Sequence, residues 1–174
     1  MTKMAKLSVV IPSAKQCVVN AVFYSAYGYV EDGKATVGIE EWVVRSVKHA
    51  KRSPLDKRLG VEAPLTAYMI RKTPYTWVRK TKGKDKTMVW AVKINASDRQ
   101  SFVVGSALPA GIFTTKLQAF KWQLGFTEST LKRCKASMDD PTISDEDRQE
   151  WEEEIKSEQK LLTLIKGMIT KERN

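Results

Sequence analysis

The sequence is short of the residues from which most catalytic and metal sites are built. It has two cysteines, Cys17 and Cys134, far apart in the chain, and a single histidine, His49. A zinc site made of Cys and His needs about four ligands at close spacing. The glycine and serine motifs of nucleotide-binding and hydrolytic enzymes do not occur either. These absences favour a protein that is not an enzyme, binds no metal and uses no cofactor.

Long apolar runs are also missing. No stretch approaches the roughly 18 residues of a membrane-spanning helix, and the first residues, MTKMAKLSVVIPSAK, lack the apolar core of a signal peptide. With 42% hydrophobic and 29% charged residues, the composition is typical of a globular domain. We expect a soluble protein with no membrane partner, located in the cytoplasm, at the nucleoid or, if the chain is viral, in the host cytoplasm.

Negative charge is scarce in the middle of the chain. The whole sequence has a net charge of +10. Residues 45–93 carry fourteen Lys and Arg against three Asp and Glu, a net of +11, whereas residues 139–174 carry six against eleven, a net of −5. A cationic segment of this density favours a polyanionic partner, and nucleic acid before any other. We expect DNA rather than RNA.

The apolar patterning predicts an α+β fold: an antiparallel β-sheet with strands within roughly 7–108, followed by C-terminal α-helices that pack on it or form a helical hairpin. LSVVI at 7–11 is typical of a short strand, whereas residues 13–28 fit either a helix or strands. The Asp-Gly pair in EDGK at 31–34 favours a hairpin. The segment at 47–60 indicates a basic connector in which Pro54 interrupts any helix.

Four further strand-like runs, LTAYMIRK, YTWVRK, TMVWAVKI and SFVVGSAL, predict an antiparallel meander over 64–108. A helix is then indicated by the spacing of Leu117, Phe120 and Leu124. We expect Thr114 or Thr115 to cap this helix and Gly125 to stop it. Helical spacing then continues as far as residue 138.

A last helix is indicated by a capping pair, Ser144 with Asp147, and by an apolar stripe. The stripe implies six or seven turns that pack on the preceding helix or on a partner, including a second copy of the chain. Its members are Trp151, Ile155, Leu162, Ile165 and Ile169. We accordingly divide the chain into a basic sheet domain, 1–112, and a helical region, 113–174, which could also form one compact unit with it.

The stretch RKTPYTWVRKTKGKDKTMVWAVKI at 71–94 sets two tryptophans either side of a lysine-rich turn. A hairpin here makes Trp77 and Trp90 cross-strand neighbours. If Trp77 faces outward with Arg79, the hairpin offers a surface on which bases stack, beside cations that bind phosphate. If both tryptophans face the core, they only pack. The predicted nucleic-acid-binding residues are Arg71, Lys72, Trp77, Arg79, Lys80, Lys82, Lys84 and Lys86, with Lys48, Lys51 and Arg52 from the connector.

Three strands at 75–80, 87–94 and 101–107 followed by a helix at 115–124, with Trp90, Val92 and Ile94 on the middle strand, resemble two kinds of DNA-binding domain in architecture. These are the domains of plant ethylene-response factors and the arm-binding domains of tyrosine recombinases. In those families the sheet enters the major groove. The resemblance implies no family membership. Lysine, which dominates here in place of arginine, suits phosphates rather than base recognition.

These observations predict a non-enzymatic nucleic-acid-binding protein of low sequence specificity. It is expected to contact the phosphate backbone through its lysine- and tryptophan-rich hairpin. The alternative is a small regulatory or virus-encoded protein, which binds and inhibits or redirects a host protein through its charged and helical surfaces.

Overall fold

In the computed structural model the chain is described over residues 10–73, 76–82, 85–91 and 94–173, with the backbone alone for 76–82 and 85–91. The predicted α+β class is confirmed, because a four-stranded antiparallel sheet is followed by C-terminal helices that pack on it. The strands are β1 Val22–Glu31, β2 Lys34–His49, β3 Leu65–Arg71, β4 Thr76–Lys82, β5 Asp85–Ala91 and β6 Arg99–Val103, and the helices are α1 Pro54–Arg58, α2 Lys116–Met138 and α3 Asp145–Lys171.

A two-residue turn, Asp32-Gly33, joins β1 to β2. Both residues have positive φ, 49° and 70°, as a type I′ turn requires. The hairpin predicted at EDGK is therefore confirmed. The turn also fixes which residues of the two strands lie opposite each other, because a two-residue loop leaves no freedom of register.

The segment before this hairpin combines a short 3-10 helix, Ala14–Gln16, with the start of β1. The β-branched and aromatic residues from Val22 onward thus form a strand, in agreement with their propensity. Of the strand predicted at 7–11, residues 7–9 lie outside the described residues. Val10 and Ile11 are not in a strand.

Strand β3 is an inner strand of the four-stranded sheet, whose order is β1-β2-β3-β6. It pairs with β2 on one side and with β6 on the other, and Ala67 and Met69 are fully buried. β6 contributes Phe102, whose ring packs edge-on against Phe23 with 5.7 Å between the centroids. A strand buried in this way needs hydrogen-bonding partners on both edges.

The predicted meander over 64–108 is wrong in its pairing. β6 pairs with β3, while β4 and β5 form a separate two-stranded ribbon. Period-two alternation identifies a strand but does not indicate which strand it pairs with. β6 pairs with β3 because its buried Phe102 extends the apolar surface of that strand. The three-strand sheet behind the architectural resemblance therefore does not form in the described part of the chain.

Two predictions about helix boundaries are corrected. Pro54 begins α1 instead of interrupting it: it lies in the first turn, where a missing N–H is tolerated, and Ser53 caps the helix by accepting a bond from the Asp56 N–H. Gly125 does not stop α2, which runs on to Met138. A glycine inside a helix is unfavourable by only about 1 kcal/mol relative to alanine, which the packing of the continuing helix outweighs.

The C-terminal helices form the helical hairpin that was one of the two predicted arrangements. Thr115 caps α2 and Ser144 caps α3, each by accepting a bond from a backbone N–H in the first turn. The buried residues of α3 are Leu161, Ile165 and Ile169. The predicted stripe is thus confirmed at its C-terminal end, with Leu161 buried more deeply than Leu162.

By its internal packing the chain divides into two compact units. One contains Tyr24–Glu40 and Ala110–Asn174, so that most of β1 and the first part of β2 belong with α2 and α3. We call it the helical unit. The other contains Val10–Phe23 and Glu41–Pro109, including α1, β3, the β4–β5 ribbon and β6. We call it the cationic unit, because its lysines and arginines far outnumber its carboxylates.

The burial of Ile165 makes a stability prediction. Ile165→Ala should destabilise the protein by about 2–5 kcal/mol, because the change removes buried methyl groups and leaves a cavity. Urea unfolding followed by circular dichroism measures the loss. The matched control is Leu164→Ala on the same turn, where the side chain is 42% exposed; its effect should stay below about 1 kcal/mol. Equal losses at the two positions would contradict the packing described for α3.

Candidate nucleic-acid interface

The charge of the protein is concentrated in one of its two units. The cationic unit has sixteen Lys and Arg against five Asp and Glu, a net of +11. The segments 24–40 and 110–174 of the helical unit have twelve against fifteen, a net of −3. The segregation seen along the sequence therefore survives folding, and a polyanion would be attracted to one unit and not to the other.

An open basin of about 630 Å³ lies in the cationic unit, where β2 ends and the connector begins. Its cationic lining is Lys51, Arg52 and Lys57, with Glu62 as the acidic member and His49, Ala50 and Ala63 completing the wall. None of the three cations forms an ion pair within the described part of the chain. Two of the predicted binding residues, Lys51 and Arg52, thus meet here, together with Lys57, which was not among the predicted binding residues.

Backbone and side-chain bonds hold the basin in shape. The Ala50 N–H donates to the Pro64 carbonyl at 3.1 Å. His49 Nδ1 lies 2.7 Å from the Ala63 carbonyl oxygen. Because a carbonyl oxygen can only accept, Nδ1 carries the hydrogen, and Nε2 is the ring nitrogen left for another partner. The connector predicted at 47–60 is therefore an ordered loop, closed at its base by two bonds.

Lys48 differs from Lys51 and Arg52, the other two binding residues predicted in the connector. Its Nζ lies over the Tyr68 ring, 5.2 Å from the centroid, within the range of a cation–π contact. Such a contact keeps the ammonium charge on the surface and fixes its position. Lys48 is therefore an oriented cation on the sheet and does not line the basin.

Arg71 and Lys72 form ion pairs at the point where the ribbon leaves the sheet. Arg71 Nε donates to Asp98 Oδ1 at 2.9 Å, and Asp98 is only 1% exposed. Lys72 Nζ lies 2.9 Å from Glu41 Oε2, and its backbone N–H donates to the Glu41 carbonyl at 2.7 Å. These two predicted binding residues are thus paired where the chain leaves β3, which reduces their availability for phosphate.

Asp98 is a buried carboxylate of the cationic unit with hydrogen bonds to both oxygens. The backbone N–H of Asn95 donates to Asp98 Oδ2 at 2.7 Å and is the main cause that holds the pKa of this carboxyl below its usual range; burial opposes it and Arg71 reinforces it. Arg71 stands at the end of β3, and Asp98 directly precedes β6. The pair therefore ties together the two strands between which the ribbon is inserted.

The ribbon itself carries the remaining predicted residues. Trp77 and Trp90 are register partners on β4 and β5, as the sequence predicted, and Lys82 is opposite Asp85. The predicted orientations of Trp77, Trp90 and Arg79 lie outside the described residues, as do those of Lys80, Lys82 and Lys86. Lys84 lies outside them altogether. A role for these side chains in binding stays a prediction.

The sequence reading missed an exposed aromatic pair on the helical unit. Tyr27 and Tyr29 share one face of β1, with ring centroids 6.2 Å apart and planes at 16°. A Cβ at Gly38 would come within 3 Å of Tyr27 ring atoms, so glycine is what lets this ring lie across β2. The period-two repeat of tyrosine, opposite a glycine across a two-residue turn, is the signal that could have revealed the pair.

The last helix, which was predicted to pack on the preceding helix or on a partner, packs within the chain over part of its length. Leu161 lies against Gly28 of β1, while Trp151 and Ile155 are half-buried. Cys134 of α2 lies near Glu154 and Glu158, which together with burial raise the pKa of its thiol. Burial and Glu154 raise the pKa of Glu158. A second copy or a protein partner on α3 stays a prediction.

The comparisons with known proteins add no assignment. The chain matches no protein-family model, and neither the curated proteins nor the solved structures contain a significant match to it. Among the residues that the structure describes, no helix is long and apolar enough to cross a membrane. No group of three or more His, Cys, Asp or Glu that could hold a metal ion occurs among them either.

The Asp98 carboxylate makes a pH-dependent prediction. Its pKa lies below the ordinary value of 3.8 in the folded protein. The stabilisation that it contributes is therefore fully present above that value and is lost as the pH falls through the lower folded pKa. Asp98→Asn should lower the melting temperature at pH 7, and the difference from the wild-type protein should shrink at a pH of about 2.

Thermal unfolding at the two pH values measures this difference. Asp139→Asn, at the exposed end of α2, is the matched control and should leave the melting temperature unchanged at pH 7. A variant Asp98→Asn as stable as the wild-type protein at pH 7 would contradict the role given to the buried carboxylate.

Proposed function

We propose that this protein binds nucleic acid, DNA in preference to RNA, without catalysing a reaction and with low sequence specificity. The observation that carries the proposal is the net charge of +11 gathered in one compact unit. Each phosphate that a lysine or arginine neutralises releases condensed counterions, and this release drives sequence-independent binding. The ordered cationic basin and the lysine-rich β4–β5 ribbon are the proposed contact points.

The pairing of charges inside the cationic unit supports the proposal. Of its five carboxylates, Asp98 and Glu41 are bound by Arg71 and Lys72, and Asp56 accepts a bond from the Ser53 hydroxyl at 2.6 Å. These anions are engaged in holding the fold. The basin cations Lys51, Arg52 and Lys57 are left to bind an external anion, which fits phosphate better than an uncharged partner.

Low specificity follows from the kind of cation and from its placement. Lysine is a point charge that binds phosphate without the two-pronged geometry with which arginine reads guanine. One of the arginines in the cationic unit, Arg71, is moreover held by Asp98. Contacts to the backbone position a protein on DNA but carry no sequence information.

The test is a fluorescence-anisotropy titration of the full chain with a DNA duplex at several salt concentrations. We expect the affinity to fall steeply with salt, with a slope of about 0.9 per phosphate contact on logarithmic axes. The triple variant Lys51→Gln, Arg52→Gln and Lys57→Gln should weaken binding to every sequence and lower this slope by up to roughly 2.7, the share of three contacts. Neutralising Lys80, Lys82, Lys84 and Lys86 tests the ribbon in the same assay.

A matched control removes the same charge from the helical unit. Lys156, Lys166 and Lys171 are exposed on α3, so their joint replacement by glutamine changes the net charge equally. The control should retain the wild-type slope. Binding without salt dependence, or equal losses in the basin variant and the control, would contradict the proposal.

The second candidate function, binding to a host protein, is favoured by the half-buried Trp151 and Ile155 on α3, whose apolar surface is only partly covered. One experiment distinguishes the two candidate functions. Affinity capture that recovers a single protein after nuclease treatment, and loses it in a Trp151→Ala variant, would favour that function. Loss of all captured material on nuclease treatment is expected from nucleic-acid binding.

A further inference from the structure

Three large apolar side chains stand exposed on the loop beside the basin. Leu55 is 63% exposed, Leu59 67% and Val61 50%. Leu55 lies on α1 and Leu59 directly follows it, one turn further on, where the Leu59 N–H donates to the Leu55 carbonyl at 2.9 Å. A single exposed leucine needs no explanation. Three such residues within one short loop form an apolar patch, and patches of this kind mark binding sites.

The loop holds these side chains in a fixed arrangement. The Ser53 hydroxyl accepts from the Asp56 N–H at 3.1 Å, and the Val61 N–H donates back to the Asp56 carbonyl at 3.0 Å. Gly60, with φ at +66°, allows the chain to reverse after α1. The bonds from Ala50 and His49 close the base of the loop. A loop ordered before binding loses little conformational entropy when a partner arrives.

Cations flank the exposed apolar residues along this segment. Lys51 and Arg52 precede α1, and Lys57 and Arg58 lie on it; all four are exposed. Asp56 is engaged by the capping serine, and Asp56 and Glu62 are the acidic residues of the segment. The segment therefore combines exposed apolar side chains with four exposed cations. By charge complementarity its partner has negative charge flanking an apolar interior, which describes the phosphates and stacked bases of a DNA duplex.

We propose that the apolar tip of this loop, Leu55 with Leu59, acts as a wedge that enters between base pairs while the surrounding cations hold the adjacent phosphates. The inference rests on the proposed function and deepens it by naming the preferred substrate class: duplexes that kink easily, such as those with a bulge or mismatch. Inserting an apolar side chain unstacks a base step. Less free energy is needed where the stack is already interrupted.

The experiment compares an intact duplex with the same duplex carrying a central two-base bulge, at one salt concentration. The wild-type chain should bind the bulged duplex about ten-fold more tightly. The double variant Leu55→Ser and Leu59→Ser should bring the two affinities within about two-fold of each other, because affinity for the intact duplex comes from the phosphate contacts. The fluorescence of 2-aminopurine beside the bulge reports unstacking directly and should rise only with the wild-type chain.

The matched control is Val18→Ser with Val19→Ser, because these valines are comparably exposed in the same unit. It should keep the wild-type preference for the bulge. The wedge is refuted if the wild-type chain shows no preference, if the leucine variant keeps it, or if the valine control loses it equally. Leucine-dependent binding to vesicles of phosphatidylglycerol and phosphatidylcholine, with no preference for the bulge, would instead assign the loop to a lipid surface. Failure of the proposed function itself appears separately, as absence of salt-dependent binding to the intact duplex.

Discussion

The cationic unit depends on the hydrogen bonds and the ion pair of the buried Asp98 carboxylate. It lies just before β6 and is held by the Asn95 N–H and by Arg71 at the end of β3. Between these two strands the chain forms the β4–β5 ribbon. Without the Arg71–Asp98 pair, only the pairing of β3 with β6 would hold the two ends of this insertion together. Asp98 is buried and Arg71 is 34% exposed, so removing Arg71 would leave a buried carboxylate without this ion pair, and the pair supports the neighbouring positions of β3 and β6.

This arrangement also explains how a unit with a net charge of +11 can be compact. Like charges repel, and a unit of this kind is stable only where its cations are spread or paired. Asp98 and Glu41 pair with Arg71 and Lys72 at the end of β3. Lys51, Arg52 and Lys57 instead lie around an open basin, where water screens them. The cations that hold the fold and those available for a ligand are thus different residues.

The sequence was informative wherever local chemistry decides the structure. The positive-φ turn at Asp32-Gly33, the caps at Thr115 and Ser144 and the helical hairpin follow from residues close together in the chain. Strand partnership depends on which strand lies beside the buried Ala67, and its register partner, Phe102, is distant in the sequence. For the same reason Arg71 was predicted to be a binding residue. Its partner, Asp98, is distant in the sequence, so the residues near Arg71 do not indicate the ion pair. The proximity of Lys51 and Arg52 could be predicted because they are neighbours in the chain, whereas Tyr27 and Tyr29 were missed because their exposure depends on the whole hairpin.

The central claim is that nucleic acid binds to the cationic unit. Hydrogen–deuterium exchange of the full chain, with and without a DNA duplex at low salt, tests it most directly because it locates the contact without any mutation. The account predicts slower exchange in peptides covering residues 45–65 and the β4–β5 ribbon, with α2 and α3 unchanged. Slower exchange confined to α2 and α3, with none in the cationic unit, would contradict it.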